Sequence, residues 1–278
     1  METINKSIFK GIAGARGANP TMAIIHNDYG AMTPEAYAEW LQRRYDRGDS
    51  ELGFAHYYGN RHAMLRCEDT FMRAYHAGNA TGNTWALGYE VCESYDEQYV
   101  KVDDATFILN ENAVLKQVAE DFHFYGLKPN RQTIRLHKEF ADTSCPHRSW
   151  KLHGRSVNSV KDYFIAKVKH YMSLGKTVEE INLNENKKPV KVEVEERMIM
   201  LSNFRNANVY KIPNFDGEYV NTKSKKSSIK ASFYAYGEHD KEGNSVWLLI
   251  DKGTKYEGYI HSNNFLSIRS NEIYQEKK

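Results

Sequence analysis

The sequence predicts two structural classes in one 278-residue chain: an α/β domain, a mixed β-sheet flanked by helices, followed by a small all-β barrel. Three observations carry this. Up to about residue 172, short apolar runs of strand type alternate with stretches whose apolar residues recur at helical spacing. Residues 173–199 then exchange large apolar side chains for Asn, Lys, Glu and Val, with Pro189 among them, as expected of a linker with some local order. From about residue 200 the pattern becomes short aromatic strands separated by Gly-containing turns. The expected division is 1–172, 173–199 and 200–278.

Each element follows from its residues. Ala23-Ile24-Ile25 is a short buried-strand candidate, with His26 at its exit. Thr33-Pro34-Glu35 starts a helix, with Thr as cap, Pro in the first turn and Glu at the positive end of the dipole. Ala36, Tyr37, Trp40, Leu41 and Tyr45 continue it, and Gly48 follows the last turn. Runs at 54–58, 63–66 and 85–91 read as strands. Asn110 is expected to cap a second helix that carries Ala113, Val114, Val118 and Phe122 and ends at Gly126, before Pro129. Ile134-Arg135-Leu136 is a further strand, and His137 again stands at the exit. Ser156 opens a third helix with Val160, Phe164, Val168 and Tyr171 on one stripe. Beyond residue 200, strands are expected at 208–210, 232–236, 246–250 and 256–260. Pro213, Asp216-Gly217, Glu242-Gly243 and Lys252-Gly253 mark the turns.

Bulk properties narrow the function classes. The 38 basic and 36 acidic residues leave a net charge of +2. Residues 200–278 hold 12 basic and 9 acidic residues against 26 and 27 before them, so the two parts carry +3 and −1. That is too weak a field to make nucleic acid the expected partner. Three cysteines, Cys67, Cys92 and Cys145, do not suggest a disulfide framework. No run approaches the ~18 apolar residues of a membrane span. The first residues lack the apolar stretch of a signal peptide, so the expectation is a chain made in the cytoplasm.

One constellation carries chemistry. His26 and His137 leave two strands, and Cys145 follows eight residues after His137 in His137-Lys138-Glu139-Phe140-Ala141-Asp142-Thr143-Ser144-Cys145-Pro146. Two imidazoles and a thiolate make three ligands for zinc with a fourth position for water, the catalytic rather than the structural pattern. Spacing alone leaves open two packed core histidines and a buried thiol. Glu90 ends the apolar run Ala86-Leu87-Gly88-Tyr89-Glu90-Val91-Cys92, where an unpaired carboxylate is costly to bury unless it has a partner or a task. An outward-facing position on an edge strand is the other reading.

These residues resemble the zinc-dependent N-acetylmuramoyl-L-alanine amidases related to phage lysozyme-type amidases and peptidoglycan recognition proteins. The resemblance covers about the first 155 residues. Five ordered motifs carry it: Ile25-His26-Asn27-Asp28, Ala55-His56-Tyr57, Tyr75-His76-Ala77-Gly78, Gly88-Tyr89-Glu90-Val91-Cys92, and His137-Lys138-Glu139 with Thr143-Ser144-Cys145-Pro146. It implies His26, His137 and Cys145 as zinc ligands and Glu90 as the carboxylate that handles the proton of the attacking water. It leaves His76 between a groove-flanking and a structural role, and His56 closer to packing. Many relatives carry Lys two positions before the Cys ligand, where this chain has Thr143, which brings a hydroxyl but no charge.

The resemblance further implies a phage endolysin acting on the peptidoglycan, and on wall-attached polymers, of a Gram-positive host. Such an enzyme is made in the host cytoplasm, is released to the wall and does not insert in the membrane. Residues 200–278 resemble a bacterial SH3-type wall-binding domain in their Tyr, Trp and Gly pattern. An exposed aromatic patch there would also support self-association. Two other functions compete: a peptidoglycan-binding module without catalysis, and a cysteine peptidase using Cys145.

Overall fold

The computed structural model describes residues 2–49, 53–185, 192–200, 206–215, 218–225, 227–237 and 246–264. The expected turns at Asp216-Gly217 and Glu242-Gly243, and Pro189 of the expected linker, lie outside the described residues. The chain forms two compact units, Met1–Asn182 and Leu183–Lys278.

The first unit opens with β1 (Glu2–Asn5), β2 (Met22–Asn27), α1 (Pro34–Asp46), β3 (Tyr57–Gly59), β4 (Ala63–Arg66), α2 (Ala80–Trp85) and β5 (Ala86–Val91). It continues with α3 (Asp104–Tyr125), β6 (Ile134–Leu136), α4 (His147–Leu152), α5 (Val157–Leu174) and α6 (Val178–Glu185), the last reaching just past the unit boundary. The six strands form one sheet in the order β1-β4-β3-β5-β2-β6. All its pairs are parallel except the antiparallel β3–β4 pair, so the predicted mixed α/β class is what forms.

Alternation along the strands sorts side chains onto two faces. Ala23 and Ile25 of β2, and Leu87, Tyr89 and Val91 of β5, pack in one core with Val114, Val118 and Phe122 of α3 and Phe164 and Val168 of α5. On the other face Tyr58, Leu65 and Cys92 pack with Tyr37 and Leu41 of α1. The residues between the first set, Ile24 and His26 on β2 and Gly88 and Glu90 on β5, therefore face the α1 side. Burying the first set against two helices anchors the sheet.

Local signals set most helix ends. The Thr33 hydroxyl accepts from the Ala36 amide at 3.3 Å, and Ser156 caps α5 by accepting from Ser159 at 3.1 Å. The expected start of the second helix at Asn110 is wrong by two turns. Asp103, with extended backbone, accepts from the Thr106 amide at 2.9 Å and starts α3 at Asp104. Asn110 lies fully buried within α3, accepting from the Arg61 amide and donating to the Cys92 carbonyl. Gly126 ends α3 at φ +68°, a left-handed position that suits glycine.

Residues 173–199 contain the end of α5, the helix α6 and all but the last residue of a strand β7 (Val192–Met200). The second unit adds β8 (Ala207–Tyr210), β9 (Tyr219–Lys223), β10 (Ser228–Tyr236), β11 (Val246–Ile250) and β12 (Gly258–His261). They form one antiparallel sheet in the order β7-β10-β11-β12-β8-β9. Tyr210, Ala235, Trp247, Leu249 and Tyr259 cluster as its core. The all-β character is as predicted, while β7 and β9 were not anticipated. Both are rich in charged or polar residues, Glu193, Glu195 and Glu196 in β7 and Asn221, Thr222 and Lys223 in β9, which mutes the strand pattern.

Candidate metal centre

Register builds the site. In the parallel β2–β5 pair His26 stands abreast of Glu90, and in the parallel β3–β5 pair Tyr58 stands abreast of Glu90. Ile25 is abreast of Leu136 on β6, so the next residue, His137, comes level with His26. Tyr58, Glu90, His26 and His137 thus form one transverse row across four neighbouring strands, at the carboxyl ends of the parallel set, where open α/β sheets bind ligands. His137 begins a short 3-10 turn, His137–Glu139, and its ring centroid lies 4.5 Å from that of His26.

Cys145 returns to this row by a loop tied at both ends. The Lys138 amide donates to the Cys145 carbonyl at 3.1 Å, and the Cys145 amide donates to the Thr143 hydroxyl at 3.2 Å. Asn27 fixes the chain beyond the loop: its Oδ1 accepts from the amides of Arg148 and Ser149 at 3.0 and 2.9 Å, holding the first turn of α4 against the end of β2. The Asn27 amide also donates to the Cys145 sulfur at 3.3 Å. One ligand atom each from His26, His137 and Cys145 lies within 4.8 Å of the other two, a group that could hold a metal ion. The His26 nitrogen nearest the sulfur is Nδ1, at 3.9 Å.

The electrostatics suit a cation. Burial, then the neighbouring His76 and His137, hold the His26 imidazole well below its usual range, and burial lowers His137 too, so both rings are neutral donors. Burial and then the Glu90 charge push the Cys145 thiol up, so the protein alone does not supply the positive charge a thiolate needs. Burial, then repulsion from Asp28, pushes the Glu90 carboxyl well above the ordinary carboxylate range. Asp28 itself is buried, accepts from the Glu93 and Ser94 amides at 3.1 and 2.9 Å, and is raised by burial to about 6. His26, Tyr58, Glu90, His137, Thr143 and Cys145 all line a single groove of about 1170 Å³.

Residues 16–148 match the family model described as N-acetylmuramoyl-L-alanine amidase. The chain is similar to Endolysin 2638A of Staphylococcus phage 2638A, 45% identical over 161 residues, covering 55% of this chain and 32% of that protein. It is also similar to Endolysin LysK of Staphylococcus phage K, 40% identical over 178 residues, covering 58% of this chain and 34% of the relative. The chain therefore spans about a third of the length of these relatives. Among solved structures, Staphylococcus aureus hydrolase AmiA in complex with its ligand aligns at 19% identity with a TM-score of 0.46, covering 63% of this chain and 85% of that one. PlyL aligns at 20% identity with a TM-score of 0.47, covering 60% and 96%.

Two residues beside the centre, Asn27 and Asp28, carry no functional expectation of their own in the sequence. Asn27 and Asp28 follow His26 directly, yet Asn27 anchors α4 and Asp28 crowds Glu90. Polar residues continuing a strand past a buried histidine were the available signal. His56, the residue expected closer to packing, is fully buried between the Arg16 guanidinium and the Gly88 amide, which donates to its Nδ1 at 3.0 Å. Trp85, read as the first residue of a strand, ends α2 instead, because Asn79 caps that short helix by accepting from the Thr81 amide at 2.9 Å.

Proposed function

We propose that this chain is a phage endolysin that hydrolyses the amide bond between N-acetylmuramic acid and L-alanine in bacterial peptidoglycan, with zinc held by His26, His137 and Cys145. The observation that carries the reading is the transverse row: one groove gathers two neutral imidazoles, a half-buried sulfur and a carboxyl raised by burial. The donor set fits the ion. Mixed nitrogen and sulfur ligands suit zinc, three protein ligands leave a position open, and a divalent charge would offset the cost of ionising the Cys145 thiol.

When bound, zinc would acidify a coordinated water and polarise the scissile carbonyl. Glu90 takes the proton of the attacking water and delivers it to the departing alanine nitrogen. Burial, then repulsion from Asp28, raises the Glu90 carboxyl, which favours the second half of that transfer, delivery of the proton to the departing nitrogen. Thr143 accepts from the Cys145 amide through its oxygen, leaving its own hydroxyl proton free to donate to the developing oxyanion. Asn27 keeps the Cys145 loop in register with β2.

The remaining assignments belong to the same reading. Residues 1–172 are the catalytic part, and 200–278 form an SH3-like barrel that binds the wall of a Gram-positive host and offers exposed Tyr219 and Tyr256 for self-association. The chain is made in the host cytoplasm and released to the wall. Among the described residues no helix is long and apolar enough to cross a membrane.

Chelation tests the reading. Treatment with EDTA should abolish wall hydrolysis and added zinc should restore it; activity that persists after verified metal removal would point instead to a thiol peptidase. Cys145→Ala should lose zinc and activity together, and stoichiometric zinc in that variant would show that the ligand set is wrong.

A further inference from the structure

Resting on the zinc reading above, we infer that His76 is a positioning residue for the metal: it accepts the Nε2 proton of His26 and thereby fixes His26 in the tautomer that presents Nδ1 to the ion. His76 Nδ1 lies 3.0 Å from His26 Nε2, on the side of the ring away from the sulfur. The other nitrogen, Nδ1, is the one nearest Cys145. A neutral imidazole carries one proton, so the nitrogen that offers its lone pair to a cation is Nδ1 only if Nε2 keeps the hydrogen. His76 supplies the acceptor that rewards that arrangement. Metal-bound histidines generally need such an outer partner, which fixes ring orientation and raises ligand basicity.

The surroundings are shaped to hold the His76 ring. A Cβ built on Gly88 would come within 2.6–2.9 Å of three ring atoms of His76, so only glycine on β5 admits the imidazole beside the strand. The His76 and Ala77 amides both donate to Asn83 Oδ1, at 3.0 and 2.7 Å, which ties this segment to α2. The two rings meet edge to face, with centroids 5.2 Å apart and planes at 77°. Gly88 itself is fastened from the other side by His56, to which its amide donates at 3.0 Å. The Tyr75-His76-Ala77-Gly78 motif and the glycine two residues before Glu90 thus serve one purpose, the orientation of His26.

The test is zinc affinity of the full chain, measured by competition with a chromophoric chelator, for the wild type, His76→Phe and His76→Asn. Phe keeps the ring beside Gly88 and removes the acceptor; the Asn oxygen can stand near the position of Nδ1. The inference predicts zinc affinity roughly 10- to 100-fold weaker in His76→Phe, most of it recovered in His76→Asn, and similar unfolding midpoints for the metal-free proteins. Equal zinc affinity in His76→Phe and wild type would overturn it, as would His76→Asn binding no better than His76→Phe. Should His76→Phe fail to fold, imidazole 15N spectra of the zinc-loaded wild type decide: a proton on His26 Nε2 supports the inference, a proton on Nδ1 contradicts it. A wild type that binds no zinc would overturn the metal reading itself, whereas full binding in every variant would overturn only the role of His76.

Discussion

In the proposed function Glu90 serves both halves of a proton transfer. A carboxyl abreast of His26, pushed up by burial and by Asp28, keeps its proton to higher pH than a surface glutamate. Glu90→Gln keeps the shape and removes the titratable group, so hydrolysis should fall by a factor of ~10² or more while zinc content and unfolding midpoint stay near wild type. A rate within a few-fold of wild type would remove Glu90 from the mechanism. Thr143 makes a more modest case. Its oxygen is already engaged by the Cys145 amide, so Thr143→Val loses both the loop hydrogen bond and the donor to the oxyanion, whereas Thr143→Ser keeps both. Steady-state rates should therefore rank Ser near wild type and Val well below it; equal rates for the two variants would leave Thr143 without a catalytic task.

At the scale of elements, the sequence was most legible where one strong local signal coincided with hydrophobic periodicity. Thr33 before Pro34 and Ser156 before Val157 define α1 and α5 because cap and apolar stripe agree. Asn110 misled because Asn is a good cap wherever it is free to be one. Here the apolar stripe begins earlier at Phe107, and Asp103 does the capping. The candidate ligands could be picked out as residues at strand exits, but their convergence could not, since it depends on which strands are neighbours. The order β3-β5-β2-β6, which aligns Tyr58, Glu90, His26 and His137, is a property of tertiary pairing. Asn27 links these two levels. Replacing it by Ala strands the Arg148 and Ser149 amides at the buried start of α4 and should cost ~1–3 kcal/mol of stability. Denaturant unfolding of Asn27→Ala reads this, and an unchanged midpoint would show that α4 is held by other contacts.

At the scale of the molecule, each of the two units carries its own prediction. Asp121 lies in the core side of the sheet and accepts from the hydroxyls of Tyr57 and Tyr89 at 3.2 and 2.7 Å. Burial raises its pKa from 3.8 to about 7. The folded state therefore favours the protonated form, and this contribution to stability is fully present below pH 3.8 and lost as pH rises through about 7. Its steepest slope is ~1.4 kcal/mol per pH unit. Asp121→Asn should remove that slope, so its unfolding midpoint should gain on wild type between pH 4 and 8; parallel profiles would assign the pH dependence elsewhere. Deleting residues 196–278 should reduce lysis of intact cells more than hydrolysis of soluble muropeptides, because a tethering unit raises local concentration at the wall. Equal losses on both substrates would make the second unit a structural support. Product analysis of digested wall tests the assigned bond most directly. Hydrolysis of the muramoyl–alanine amide should release new N-terminal alanine without new reducing sugar ends; new reducing ends, or new termini of any other amino acid in place of alanine, would show that a different bond is cut.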